Sequence, residues 1–94
     1  MTERGLGRSA ASRIARAVTA AEVQRLRDVP PSWPTSDRWS EDVMIGEDGL
    51  GLDSLEQLGA LGALGETFGL DDASLRAERP RTVGDWIDWI MAGP

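Results

Sequence analysis

The chain has no histidine and no cysteine, and these two absences exclude whole classes of chemistry. Without imidazole or thiolate there is no Ser-His-Asp or Cys-His relay to activate a nucleophile, no Cys/His zinc site and no disulfide framework. A chain without cysteine also says nothing about a redox compartment. Lysine and tyrosine are missing as well, so all ten basic residues are arginine. Long apolar runs are absent too. Nothing approaches the roughly 20 residues that cross a bilayer, and Arg4 and Arg8 are not followed by the apolar core of a signal peptide. The expectation is a soluble, cytoplasmic protein with no membrane association. Ninety-four residues support one domain with one modest core, too little for a large enzyme with a deep pocket. No catalytic residue and no metal site is expected.

Charge is distributed unevenly. Residues 1–29 hold six arginines against Glu3, Glu22 and Asp28, a balance of +3, whereas residues 30–94 hold four arginines against thirteen acids, a balance of −9. The acidic part disfavours nucleic acid through phosphate repulsion and suits partners with basic surfaces. It also keeps a small domain in solution.

Helical periodicity dominates what is present. Residues 1–8 are polar and glycine-containing, which predicts a frayed N-terminal tail ahead of a domain spanning 9–92. From Ser9, the spacing predicts one apolar face of Ile14, Val18 and Ala21 and a second row of Val23, Leu26 and Val29. Thr19 and Glu22 have capping-box spacing, so this region reads as one bent helix or two short ones, stopped by Pro30 and Pro31. A long segment to Leu52 carries Trp33 and Trp39, which are expected to tie it onto the core. A helix is predicted over 54–68, with Leu55, Leu58, Leu61, Leu64 and Phe68 as a drifting apolar stripe, of which Leu58, Leu61, Leu64 and Phe68 are expected in the core, and with Gly69 as its stop. Asp71 and Asp72 can begin a short helix containing Leu75, broken by Pro80. Thr82 and Asp85 form a capping box for a last helix, in which Val83, Trp86, Ile87, Ile90 and Met91 repeat at helical spacing and Trp89 sits at the stripe's edge. The fold class is all-α, a small antiparallel bundle of three principal helices plus a short extra one.

Against this background one stretch stands out, Gly49-Leu50-Gly51-Leu52-Asp53-Ser54-Leu55-Glu56. It places a serine where a glycine-rich turn becomes a helix, so the hydroxyl is expected to be exposed and the helix's first amides to lie beside it. Serine in such a place is also an ordinary N-cap. Ser54 with Gln57, or Asp53 with Glu56, has capping-box spacing.

Leu50-Gly51-Leu52-Asp53-Ser54-Leu55 resembles the attachment motif of acyl carrier proteins. The resemblance continues through Leu64, Glu66, Phe68-Gly69-Leu70 and then Thr82-Val83-Gly84-Asp85 with Ile87, Asp88 and Ile90, covering roughly residues 48–91 with the family's own spacing between its two halves. It implies that Ser54 carries a covalent 4'-phosphopantetheine, donated from coenzyme A by a phosphopantetheinyl transferase. It further implies that Asp53, Leu55, Glu56 and Glu66 meet partner proteins, namely that transferase and a ketosynthase, acyltransferase or ligase and tailoring enzymes. The chain itself would be a monomeric, non-enzymatic shuttle.

Three glycines depart from the family pattern. Gly59, Gly62 and Gly65 occupy helix positions where family members often place acids or a bulky apolar residue, and each costs about 1 kcal/mol relative to alanine. This points away from a housekeeping fatty-acid carrier and toward a polyketide or related natural-product pathway. The glycine row either lets a partner helix or a bulky chain approach closely or is a loosely optimised helix. Two other functions fit the pattern: a peptidyl or aminoacyl carrier of a nonribosomal system, and a helical docking module with no arm.

Overall fold

The computed structural model describes residues 7–70 and 79–92. Among them are three α-helices and no strand: α1 (Arg8–Leu26), α2 (Ser54–Phe68) and α3 (Val83–Ala92). A single 3-10 turn, Ser36–Arg38, interrupts the segment between α1 and α2. The short helix expected from Asp71 and Asp72 falls at 71–78, outside the described residues, as does most of the expected tail. No helix among the described residues is long and apolar enough to cross a membrane.

α1 is one continuous helix, beginning one residue ahead of the expected boundary. Arg8 is ion-paired to both Glu41 and Asp88, so the first turn is fastened to the loop and to α3. Thr19 caps nothing. It lies inside the helix, fully buried, and its hydroxyl finds no hydrogen-bond partner among the described residues. The helix ends at Leu26, before the prolines, where Arg27 turns extended; the residue before a proline is itself driven out of helical conformation.

The buried face of α1 is only in part the one its large apolar residues mark: Val23 of the expected second row is fully buried. Ile14, Ala21 and Leu26 are exposed, and Ala11, Ala15, Thr19, Ala20 and Val23 point inward. Small side chains on that face allow a close approach to the other two helices. At Gly59 in α2, a Cβ would lie 3.0 Å from Glu22 Oε2 and 3.1 Å from Leu26 Cδ1. Val18 and Val29 pack against the core from its margin.

The leucines of α2 also divide. Leu61 and Leu64 are core, Leu58 is 49% exposed and Leu55 is 71% exposed. Each three-residue step turns about −60° around a 3.6-residue helix, so over three steps the row crosses from one side to the other. Gly69 closes α2 in the left-handed conformation, φ 68°. In α3 the stripe is wider than expected. Val83, Trp86, Ile87 and Ile90 are buried, Trp89 joins them, and Met91 is the residue left outside.

The long connection is held by polar bonds as well as packing. Trp39 is buried and Trp33 meets it edge-to-face at 5.4 Å; the indole N–H of Trp33 donates to the Leu50 carbonyl and that of Trp39 to the Pro34 carbonyl. From α1, Arg16 Nη1 donates to the Ser36 and Trp39 carbonyls at 3.2 and 3.1 Å. An isolated antiparallel bridge, Met44 with Thr82, joins the segment to the start of α3. Ile45, Leu50 and Leu52 thereby enter the core. The two tryptophans do fasten this segment to the body, as their sequence position suggests.

Candidate functional site

The turn before α2 is built by two glycines with different duties. Gly51 has φ +74°, a conformation that side-chain-bearing residues rarely adopt. Gly49 has no room for a side chain, since a Cβ would fall 2.0 Å from the Met44 carbonyl oxygen. That same carbonyl accepts the Leu50 N–H at 2.8 Å, so the close approach is what folds the turn.

Hydrogen bonds then fix the turn atom by atom. The N–H groups of Gly51 and Leu52 donate to the Gly46 and Ile45 carbonyls. Three successive carbonyls each accept from a side chain: Leu50 from Trp33 Nε1 at 2.9 Å, Gly51 from Arg27 Nη2 at 3.5 Å and Leu52 from Gln57 Nε2 at 3.0 Å. Backbone groups paired this completely leave little conformational freedom.

Of the two capping arrangements open in the sequence, Asp53 with Glu56 is the one that forms. Asp53 Oδ1 accepts the Glu56 N–H at 2.8 Å, and Glu56 Oε1 accepts the Asp53 N–H at 3.0 Å. Ser54 is therefore the first helical residue rather than the cap. Its side chain is exposed and is not needed to start the helix. At that position its own N–H and that of Leu55 have no intrahelical acceptor, and the helix dipole favours an anion beside them.

Glu56 differs from its expected role. It is 5% exposed, with one oxygen in the capping box and Oε2 2.5 Å from Arg27 Nε. A buried carboxylate occupied on both oxygens holds the turn and presents nothing to a partner. Asp53, Leu55 and Glu66 are exposed. Leu55 directly follows Ser54, and Glu66 lies three helical turns along α2.

Sequence reasoning placed Leu58 in the core, whereas it lines a surface groove of about 270 Å³ with Ser54, Gln57, Leu61, Arg79 and Pro80. The groove brings the serine together with an apolar floor and an arginine from the far side of the chain. Arg27, Trp33 and Arg79 were not singled out as site residues. Each reaches the site across a long stretch of sequence, where no spacing pattern could register it.

The glycine row resolves into three cases. At Gly59 a Cβ would meet the ends of two α1 side chains, at Gly65 it would lie 3.0 Å from the Leu70 carbonyl oxygen, and at Gly62 it would meet nothing within 4 Å. Gly59 and Gly65 thus admit neighbours from within the chain. Comparison of the chain with protein-family models and with curated proteins gave no match.

Proposed function

We propose that this protein is an acyl carrier: a non-enzymatic shuttle, with a carrier-type helical bundle that includes a short helix before α3, bearing 4'-phosphopantetheine on Ser54. The observation that carries the reading is the exposed hydroxyl at the first residue of α2, freed from capping by Asp53 and mounted on a turn whose Leu50, Gly51 and Leu52 carbonyls each accept a side-chain hydrogen bond. Those features fit the group. A phosphodiester on Ser54 Oγ would lie beside the unpaired first-turn amides, and the groove with Leu58, Leu61 and Pro80 offers apolar surface next to it.

Ser54 Oγ would form the bond to phosphorus as the pyrophosphate linkage of coenzyme A breaks and its adenosine portion departs. The hydroxyl proton would go to a base on the transferase. When bound, the arm supplies a thiol that holds acyl groups as thioesters. The chain's own part is to orient Ser54, to present Leu55, Asp53 and Glu66 to basic or apolar partner surfaces, and to shelter apolar cargo along the groove. The departures at Gly59, Gly62 and Gly65 favour service in a polyketide or related natural-product pathway.

Incubation with coenzyme A and a promiscuous phosphopantetheinyl transferase, followed by intact-mass measurement, tests the reading. The expected result is a gain of one phosphopantetheinyl group by the wild type and none by Ser54→Ala. No gain favours instead a docking module that uses exposed Leu55 and Leu58 without an arm, and a gain that survives Ser54→Ala rules out Ser54 as the attachment site. A cargo that proves to be aminoacyl rather than acyl would move the protein to the nonribosomal class.

A further inference from the structure

Arg27 closes α1. Its backbone is extended, with φ −158° and ψ 162°, and its N–H donates to the Val23 carbonyl. From that fixed origin its guanidinium reaches the turn that carries Ser54. Nε lies 2.5 Å from Glu56 Oε2, off the N–H axis, and Nη2 lies 3.5 Å from the Gly51 carbonyl oxygen. Glu56 is buried and its other oxygen holds the Asp53 N–H. Trp33 and Gln57 brace the adjacent carbonyls but carry no charge. Among the described residues, Arg27 alone ties the turn to the end of α1 and neutralises the buried carboxylate at the root of α2. Removing one partner of such a pair leaves an uncompensated charge in a poorly solvated place.

We propose that Arg27 is a positioning residue for Ser54: it clamps Glu56 and the Gly51 carbonyl from α1 and so fixes the orientation in which the serine is offered to the enzyme that modifies it. The functional half rests on Ser54 being the attachment site, whereas the clamp is a property of the unmodified chain and is measurable without loading. Its effect belongs on kcat, because the exposed surface that a transferase would meet, Leu55 and Glu66, does not change when Arg27 does. Loss of orientation lowers the fraction of encounters in which the hydroxyl is correctly placed.

The test uses Arg27→Ala, Arg27→Lys and the double variant Arg27→Met/Glu56→Gln, each followed by amide hydrogen exchange and by transfer kinetics with coenzyme A and a promiscuous transferase. In Arg27→Ala, exchange at Asp53 and Glu56 should rise about tenfold relative to Trp86 and Ile87 in α3. Its kcat should fall about tenfold, with KM for the carrier within about twofold. Arg27→Lys should recover part of both effects, because an ammonium neutralises Glu56 but does not fork to Gly51. The double variant removes both charges while keeping the capping oxygen, so it should fold even if Arg27→Ala does not. It should still show faster exchange at Gly51 and Asp53 and a lowered kcat. A folded double variant with wild-type exchange and wild-type kcat overturns the proposal. If the wild type itself accepts no phosphopantetheine, the carrier reading falls, and exchange alone decides whether Arg27 holds the turn.

Discussion

Alanine substitution along the glycine row of α2 should give three different outcomes from one chemical change. Gly62 faces open space, so Gly62→Ala gains the helix propensity of alanine, about 1 kcal/mol, without a new contact. For a domain of this size that is a rise in Tm of about 4–8 °C. At Gly59 the new methyl would meet Glu22 Oε2 and Leu26 Cδ1, the far ends of side chains that can swing aside. The gain is then partly offset, leaving about 0–1 kcal/mol. At Gly65 the methyl would press on the Leu70 carbonyl oxygen at 3.0 Å, and this is backbone held by the Leu70 N–H bond to the Gly65 carbonyl. Overpacking of that kind costs about 1–3 kcal/mol and outweighs the propensity gain. Urea titrations followed by circular dichroism should therefore rank the midpoints Gly62→Ala, then Gly59→Ala, then Gly65→Ala, with wild type above the last. A Gly65→Ala variant as stable as Gly62→Ala would refute the close approach. A destabilised Gly62→Ala would refute the open face.

Two further outcomes follow from other parts of the molecule. Thr19→Val keeps the shape of a fully buried side chain and deletes a hydroxyl without a partner, so the denaturation midpoint should rise by the equivalent of about 1 kcal/mol; a clear loss of stability would mean that the hydroxyl is bonded. The hydrogen bond from Arg8, followed by the attraction of Arg8 and Arg16, holds the Glu41 carboxyl below its ordinary value. A lowered folded pKa gives stability that is present above the ordinary glutamate value and is lost as pH falls through the folded one. The small stability difference between wild type and Arg8→Met should accordingly shrink in acid, as measured by thermal melts across pH, and a difference that persists below both values would contradict the pairing.

What could be read from the sequence was mostly what neighbours in sequence decide. The Thr82–Asp85 capping box, the Gly69 stop and the apolar stripe of α3 apart from Met91 are local patterns, and each is found in the structure. Whether Ser54 or Asp53 caps α2 was open because both spacings were satisfied, and geometry chose Asp53. Apart from Val23, the inward face of α1 was missed for a physical reason. It is made largely of alanine, and burial of small residues leaves no peak in a pattern that weights isoleucine and valine. Leu58 was assigned to the core with Leu61 and Leu64, but the row drifts about −60° at each three-residue step, which carries Leu58 toward the surface. The Arg27–Glu56 pair and the Trp33 bond to Leu50 were illegible, since each joins distant segments that only folding brings together. Glu56 in particular read as a surface acid and proved to be a buried brace.

The central claim is that one hydroxyl, on Ser54, accepts the phosphopantetheinyl group. The most direct measurement is tandem mass spectrometry of the tryptic peptide from Trp39 to Arg76 after reaction with coenzyme A and transferase. The account predicts a single modification on Ser54, with Ser40 and Ser74 in the same peptide unmodified. A modification on either of those serines, or an unmodified peptide under conditions that load a control carrier, would contradict it.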